Sequence, residues 1–88
     1  MRLRNVKDAK KIVSESNYVI NDPESIKGHF SELFDNDNEI HLEIGMGKGD
    51  FIIGNALKYP NINFIGMEKY ESVMVRAIEK LNDLKIDN

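Results

Sequence analysis

The residues best suited to chemistry lie in a glycine-rich segment, residues 43–49, between a strand-like run and a helix-like run. Glu43 opens this segment, and Gly45, Gly47 and Gly49 follow at alternate positions. Glycine allows a tight turn and lets a ligand lie against the main chain, where a Cβ atom would clash. A strand, a glycine-rich turn and a helix N-terminus form the nucleotide-binding corner of a doubly wound α/β sheet. The segment therefore predicts a site for a nucleotide-like ligand.

The glycine spacing and the flanking acids favour one class of ligand over another. The dinucleotide fingerprint G-x-G-x-x-G, begun at Gly45, requires glycine at position 50, where the chain has Asp50. We expect Asp50 to be the N-cap of the following helix, where its carboxylate occupies the amides that a pyrophosphate needs. A ligand with an ammonium and a sulfonium, such as S-adenosylmethionine, is instead attracted by carboxylates such as Glu43. The sequence thus favours S-adenosylmethionine over NAD.

A second acid, Glu68, ends the next predicted strand, Asn63–Glu68, 19 residues beyond Gly49. This spacing predicts that Glu68 lies at the carboxyl end of the adjacent parallel strand. An acid at that position accepts hydrogen bonds from ribose hydroxyls. Because NAD sites use the same device, Glu68 supports an adenosine ligand without separating the two cofactors.

The strand and helices that must position these residues can be predicted from the spacing of apolar residues. Alternating apolar residues predict a strand over Ile40–Ile44. An apolar run predicts a helix from Asp50 to Tyr59, which Pro60 ends. Apolar residues at helical spacing between Val73 and Leu84 predict a further amphipathic helix after the second strand.

Two helical segments are predicted upstream. Asp22 is suited to an N-cap and Pro23 to a first helical position, which predicts a helix over Asn21–Leu33. A short helical turn is predicted around Val6–Val13. The expected fold class is therefore α/β, with the order β-α-β-α preceded by one or two helices, as part of a Rossmann-like doubly wound sheet.

Charge is distributed unevenly along the chain. The net charge is −3, yet residues 1–11 carry +4 and the remaining 77 residues carry −7. A basic arm on an acidic body is expected of a segment that reaches for nucleic-acid phosphate, although a solvated tail has the same composition. We divide the chain into a basic N-terminal arm, residues 1–21, and an incomplete cofactor-binding domain, residues 22–88. The candidate RNA-binding residues are Arg2, Arg4, Lys7, Lys10 and Lys11.

Composition sets broader limits. The content of 41% hydrophobic and 31% charged residues is typical of a soluble globular protein. The absence of cysteine excludes disulfides and thiolate metal sites, and we expect no metal. No apolar run approaches the length of a membrane span, and no signal-peptide pattern follows Met1. We therefore expect a cytoplasmic protein without a membrane partner.

Taken together, these motifs resemble one known family. The stretch Ile40–Phe51, followed by Asn63–Glu68, is similar to the bacterial tRNA (guanine-N7-)-methyltransferases, which are class I S-adenosylmethionine-dependent methyltransferases. The opening Met1–Asn5 and the segment Asn21–Pro23 resemble the N-terminal region of that family. The E-x-G-x-G-x-G element marks class I methyltransferases in general, and Lys48, the Ile-Gly-Met-Glu strand end and the basic start narrow the resemblance. The match runs along nearly all of this chain but covers only about the first two fifths of a typical member.

The resemblance implies a function and a set of site residues. It implies the N-terminal part of a methyltransferase sheet that binds S-adenosylmethionine and transfers a methyl group directly to guanine N7 in tRNA. The adenine-contacting and catalytic acids of the family are expected beyond Asn88, so no catalytic residue is assigned here and the chain alone is expected to be inactive. The cofactor-binding residues implied are Glu43, Gly45, Gly47, Gly49 and Glu68.

Two other functions and one structural consequence stay open. A fragment of a nucleotide-binding Rossmann oxidoreductase would share the fold, and a truncated non-catalytic module is compatible with every residue. A third strand is expected to begin near residues 85–88, where the chain stops. The first strand then has an unpaired edge, which indicates either a fragment or a protein that completes its sheet with a partner, and self-association through that edge is expected.

Overall fold

The computed structural model describes residues 8–88 and centres on a parallel β-α-β-α unit. In chain order, its elements are α1 (Ala9–Glu15), 3-10 turns at Pro23–Ile26 and Phe30–Leu33, β1 (Ile40–Ile44), α2 (Asp50–Lys58), β2 (Asn63–Met67) and α3 (Glu71–Leu84). The strands pair in parallel, with Ile40 opposite Asn63 and Ile44 opposite Met67. This arrangement confirms the predicted α/β fold class and the predicted order β-α-β-α, preceded by a helix.

The first apolar cluster forms where α2 packs beside the strands. Ile53 and Ala56 of α2 are buried together with Ile86, and Phe64 of β2 packs against them. The helix ends where predicted, because the Tyr59 amide donates to the Asn55 carbonyl at its C-terminus and Pro60 cannot continue it. Burial of the Ile53–Ala56 face fixes the position of α2 beside the strands, and therefore also the path of the loop that leads into α2.

The second apolar cluster joins α1 to α3. Ala9 and Val13 are buried against Val75 and Ile78. The Tyr18 hydroxyl also donates a hydrogen bond to the Leu81 carbonyl, at 3.1 Å. A helix as short as α1 depends on such packing for its stability. The predicted turn around Val6–Val13 is thus observed as α1, and its first residues lie outside the described part of the chain.

The prediction of one α-helix over Asn21–Leu33 is wrong. The segment forms two separate 3-10 turns, and Gly28 lies between them with a φ of +84°. Phe30 and Leu33 remain exposed, so no neighbouring surface among the described residues buries the apolar stripe that a continuous helix would present. The Asp22 side chain makes no capping hydrogen bond either. Local propensity predicted a helix that packing does not support.

The described sheet has two strands and therefore an open edge on β1. Leu42 is 56% exposed and Ile44 is 77% exposed. The outer side of β2 is partly used, because the Phe64 amide donates to the Asn88 carbonyl at 2.6 Å. The Asn88 side-chain amide also donates to the carbonyls of three residues at the end of α2 and after it: Ala56, Tyr59 and Ile62.

Among residues 8–88, the longest helix is α3, with 14 residues. No helix in this range is long and apolar enough to cross a membrane. The same residues contain no group of three or more His, Asp or Glu side chains able to hold a metal ion.

Candidate functional site

The glycine loop connects β1 to α2 through backbone conformations that favour glycine. Gly45, Gly47 and Gly49 have φ angles of +72°, +60° and +84°. The amides of Gly45 and Met46 both donate to the Met67 carbonyl, at 2.8 and 2.9 Å, and the Gly49 amide donates to the Met46 carbonyl at 3.0 Å. The left-handed conformation costs other residues more than glycine, which explains the alternating spacing.

The three glycines have different surroundings. A Cβ atom on Gly45 or Gly47 would meet no atom within 4 Å. A Cβ atom on Gly49 would instead lie 2.9 Å from the Ala77 Cβ and 3.0 Å from the Ile53 Cδ1. Gly49 therefore lets the loop pack closely on α3, whereas Gly45 and Gly47 leave open space beside the main chain.

A fourth glycine contributes to the same corner and was missed from the sequence. Gly66 lies in β2 opposite Glu43, and a Cβ atom there would overlap the Met46 sulfur. The Met46 side chain can thus fold over β2 from within the loop. The only sequence signal was a glycine inside a strand, which indicates close approach of another group.

Glu68 lies beside the loop, as its position after β2 predicts. Its Oε1 accepts a hydrogen bond from the Gly47 amide at 2.9 Å, and its Oε2 accepts one from the Tyr70 amide at 2.9 Å. Each oxygen of an ionised carboxylate can accept two hydrogen bonds, so one acceptor site on each oxygen remains for a ligand. Glu68 therefore supports the loop and can still receive hydroxyl donors.

Glu43, on β1, carries an unsatisfied acceptor. Its Oε1 is buried and accepts no hydrogen bond from residues 8–88. A buried carboxylate oxygen without a donor is costly, and a cationic donor relieves that cost. Glu43 also lines a cleft of about 370 Å³ together with Phe51, Asn55 and Phe64. That cleft includes neither the glycine loop nor Glu68, so by itself it does not enclose a ligand lying on the loop.

The predicted role of Asp50 as N-cap is wrong. Gly49 occupies the N-cap position, and Asp50 is the first residue of α2. The Asp50 carboxylate instead pairs with the Lys80 ammonium of α3, which also donates to the Lys48 carbonyl at 3.1 Å. The hydrogen bond and charge of Lys80, assisted by the charge of Lys48, hold the pKa of Asp50 below its ordinary value. The Asp50 carboxylate therefore binds Lys80 of α3 and makes no capping hydrogen bond to α2.

The candidate RNA-binding residues fall partly within the described structure. Lys10 and Lys11 are exposed on α1. Arg2, Arg4 and Lys7 lie outside the described residues. The assignment of these five residues to RNA stays a prediction, and so does the domain boundary at residue 21.

The fold and this corner together are typical of one class of protein. A parallel β-α-β unit, a glycine loop with open space beside it, Glu43 on β1 and Glu68 just after β2 are features of the nucleotide-binding half of a Rossmann-like domain. A family model described as "putative methyltransferase" matches residues 37–88, which is more than half of the chain. The chain belongs to this methyltransferase family.

Curated relatives agree along the whole chain. A tRNA (guanine-N(7)-)-methyltransferase of Lachnoclostridium phytofermentans is 52% identical over 88 residues, which is 100% of this chain and 41% of the relative. Proteins of the same name from Oceanobacillus iheyensis and Geobacillus thermodenitrificans are 49% and 52% identical over 89 residues, and 42% and 41% of their lengths are covered. The chain thus spans about two fifths of the length of these relatives, whose N-terminal part it matches.

Proposed function

We propose that this chain is the S-adenosylmethionine-binding part of a tRNA (guanine-N7-)-methyltransferase. The observation that carries the proposal is the buried Glu43 oxygen, two residues before Gly45, which accepts no hydrogen bond from any of residues 8–88. An ammonium group satisfies such an oxygen, and S-adenosylmethionine carries one. The names of the relatives from three bacteria support the reaction class.

Each site residue has a distinct task in this proposal. Glu43 binds near the methionine moiety, and the open main chain at Gly45 and Gly47 packs against the cofactor. Gly49 fixes the loop on α3. Glu68 accepts the ribose hydroxyls through its remaining acceptor sites while it holds the Gly47 amide. When bound, the cofactor supplies a methyl group on a sulfonium centre.

The nucleic-acid substrate sets modest demands on acid–base chemistry. Guanine N7 has a free lone pair at neutral pH, so a strong base is not required and most of the rate enhancement comes from positioning. The family's catalytic acids are expected beyond Asn88, and no residue of this chain is assigned to them. We assign Arg2, Arg4, Lys7, Lys10 and Lys11 to phosphate contacts on tRNA. A tRNA substrate also implies a cytoplasmic location.

The open edge of β1 supports a proposal about assembly. Its main-chain groups face no strand within the described residues, and Leu42 and Ile44 beside them are exposed. Unpaired strand edges invite another strand. We therefore expect the isolated chain to self-associate, which sedimentation velocity over a range of concentrations tests. A monomer at every concentration, with a sharp cooperative melt, contradicts this expectation.

Cofactor choice is tested by titrating the chain with S-adenosylmethionine and, separately, with NAD, following backbone amide signals by NMR. We expect S-adenosylmethionine to shift the signals of the loop and of Glu68, and NAD to leave them unchanged. Glu43→Gln removes the charge at nearly constant shape and should weaken binding, whereas Glu39→Gln, an exposed acid just before β1, should not. Tighter binding of NAD, or an unaltered affinity in Glu43→Gln, refutes the assignment.

The substrate is tested with a hybrid protein. Residues 1–88 replace the matching N-terminal part of the Lachnoclostridium phytofermentans relative, and 7-methylguanosine in a tRNA transcript is measured by nucleoside mass spectrometry. We expect methylation by the hybrid and none by the same hybrid carrying Gly47→Val. A folded hybrid that binds tRNA and S-adenosylmethionine but forms no 7-methylguanosine overturns the proposed substrate.

A further inference from the structure

Lys80 connects α3 to the glycine loop from a distance of more than thirty residues in sequence. Its ammonium donates to the Lys48 carbonyl at 3.1 Å and pairs with the Asp50 carboxylate. The Lys80 side chain is 36% exposed and that of Asp50 is 82% exposed. An ion pair this exposed adds little stability, so we expect the main effect of Lys80 to come from its hydrogen bond to the Lys48 carbonyl.

The Lys48–Gly49 peptide is held at both ends. Its carbonyl accepts from Lys80, and its N–H, on the opposite side of the trans peptide, donates to the Met46 carbonyl at 3.0 Å. Rotation of this peptide plane would break both hydrogen bonds. Gly47 and Gly49 flank Lys48 with positive φ angles, and glycine has many alternative conformations at little steric cost. A side-chain anchor on the carbonyl therefore restricts a segment that is intrinsically loose.

The neighbouring residue is held from the other direction. The Gly47 amide donates to Glu68 at the end of β2, at 2.9 Å. Two consecutive loop residues are thus tied to different elements, Gly47 to the sheet and Lys48 to α3. The space beside Gly45 and Gly47 stays open between these two ties.

We propose that Lys80 is a positioning residue that fixes the Lys48–Gly49 peptide and so maintains the loop surface on which the cofactor lies. The part of this inference that concerns the cofactor rests on the proposed function. The part that concerns the loop is independent of any ligand. Lys80 acts through the loop and touches no reacting group.

The test compares three variants of the chain: Lys80→Met, Lys80→Arg and Arg76→Met. Arg76 is the matched control, because it lies one turn earlier on α3 and pairs with Glu79 of the same helix. Amide hydrogen exchange at Gly49 and S-adenosylmethionine affinity are measured by NMR for each. In Lys80→Met we expect exchange at Gly49 to be faster, and the affinity weaker, by roughly two- to tenfold. Lys80→Arg should restore most of both, and Arg76→Met should resemble the wild type.

The outcomes separate the inference from the proposed function. If the wild-type chain binds no S-adenosylmethionine, the proposed function fails and Gly49 exchange still decides the role of Lys80. Unaltered Gly49 exchange in Lys80→Met overturns the inference whatever the affinity, and so does an equal effect of Arg76→Met. If Lys80→Met does not fold, Lys80→Gln replaces it, since its shorter polar side chain cannot span the same distance. Gly49 exchange like the wild type in that variant likewise overturns the inference.

Discussion

Replacing Glu68 by Ala removes a carboxylate that has one role in the structure and a second role in the proposed site. It frees the amides of Gly47 and Tyr70, which donate to the two oxygens of Glu68 at 2.9 Å each. In the proposed site it also removes the acceptor for the ribose hydroxyls. A simple loss of affinity would therefore not identify the ribose contact, because loosening of the loop weakens binding too.

The hydrogen bonds from the ribose hydroxyls to Glu68 make their own contribution to the binding free energy. Hydrogen bonds to a charged group contribute about 1.5–3 kcal/mol. That free energy corresponds to a roughly 10- to 150-fold change in cofactor affinity. Loss of the Gly47 tie adds to the total effect of Glu68→Ala, but it affects ligands with and without ribose hydroxyls alike.

A cycle of protein and ligand changes isolates the contact. S-adenosylhomocysteine and its analogue lacking both ribose hydroxyls are titrated into the wild type and into Glu68→Ala. We expect removal of the hydroxyls to weaken binding roughly 10- to 150-fold in the wild type. The same removal should have little effect in Glu68→Ala. An equal loss in both proteins would refute the ribose assignment, and an affinity of Glu68→Ala within twofold of the wild type would refute any role of Glu68 in binding.

Four further predictions concern other parts of the chain. Gly47→Val should abolish cofactor binding, since it strains a φ of +60° and fills open space, whereas Gly54→Ala on α2 should bind normally in the same titration. In the hybrid enzyme, replacement of the five candidate RNA-binding cations by Gln, which keeps the buried Ala9 of α1 in place, should leave S-adenosylmethionine affinity intact. The same change should make the slope of log tRNA affinity against log salt concentration shallower by about 2–3 units if three of the five cations contact phosphate. An unchanged slope together with an unchanged affinity would exclude an RNA role for these residues. Asn88→Ala should lower the free energy of unfolding by about 1–2 kcal/mol in urea denaturation, because the carbonyls of Ala56 and Ile62 lose the Asn88 amide and that of Tyr59 keeps only the Ile62 amide. Asp50→Asn should lower the melting temperature only slightly at neutral pH, because the Asp50–Lys80 pair is exposed. Since the pKa of Asp50 is lowered in the folded state, this small contribution is present above the ordinary carboxyl pKa of about 4 and is lost as the pH falls from there through the lowered pKa.

The central unit could be predicted because its determinants are local. Alternation over Ile40–Ile44, the adjoining glycines and Pro60 each act within a few residues, and they set the order of strand, turn and helix. The position of Glu68 also follows, because the carboxyl ends of neighbouring parallel strands meet at one edge of the sheet. Glu68 therefore lies beside the glycine loop, as its spacing from the loop predicts.

Features that depend on distant contacts could not be predicted. The pattern over Asn21–Leu33 is helical, but whether a helix forms depends on a surface to cover its apolar stripe, which spacing does not reveal. The overlap between Gly66 and Met46 and the bond from Lys80 to the loop depend on how β2 and α3 approach. The N-cap role predicted for Asp50 was wrong for the same reason, since a lysine on another helix competes for its carboxylate.

A pyrophosphate ligand is consequently disfavoured for a reason other than the charge of Asp50. Asp50 is offset by Lys80, so its charge repels an anion less than the sequence implies. What disfavours a phosphate is the state of the loop amides: those of Gly45 and Met46 donate to the Met67 carbonyl, that of Gly47 to Glu68, and that of Gly49 to the Met46 carbonyl. A phosphate-binding loop needs such N–H groups free to point at the anion. Within the loop these four amides are used by the protein itself, and Glu43 on β1 and Glu68 just after β2 remain beside them, which supports the proposal of a cationic ligand on the loop.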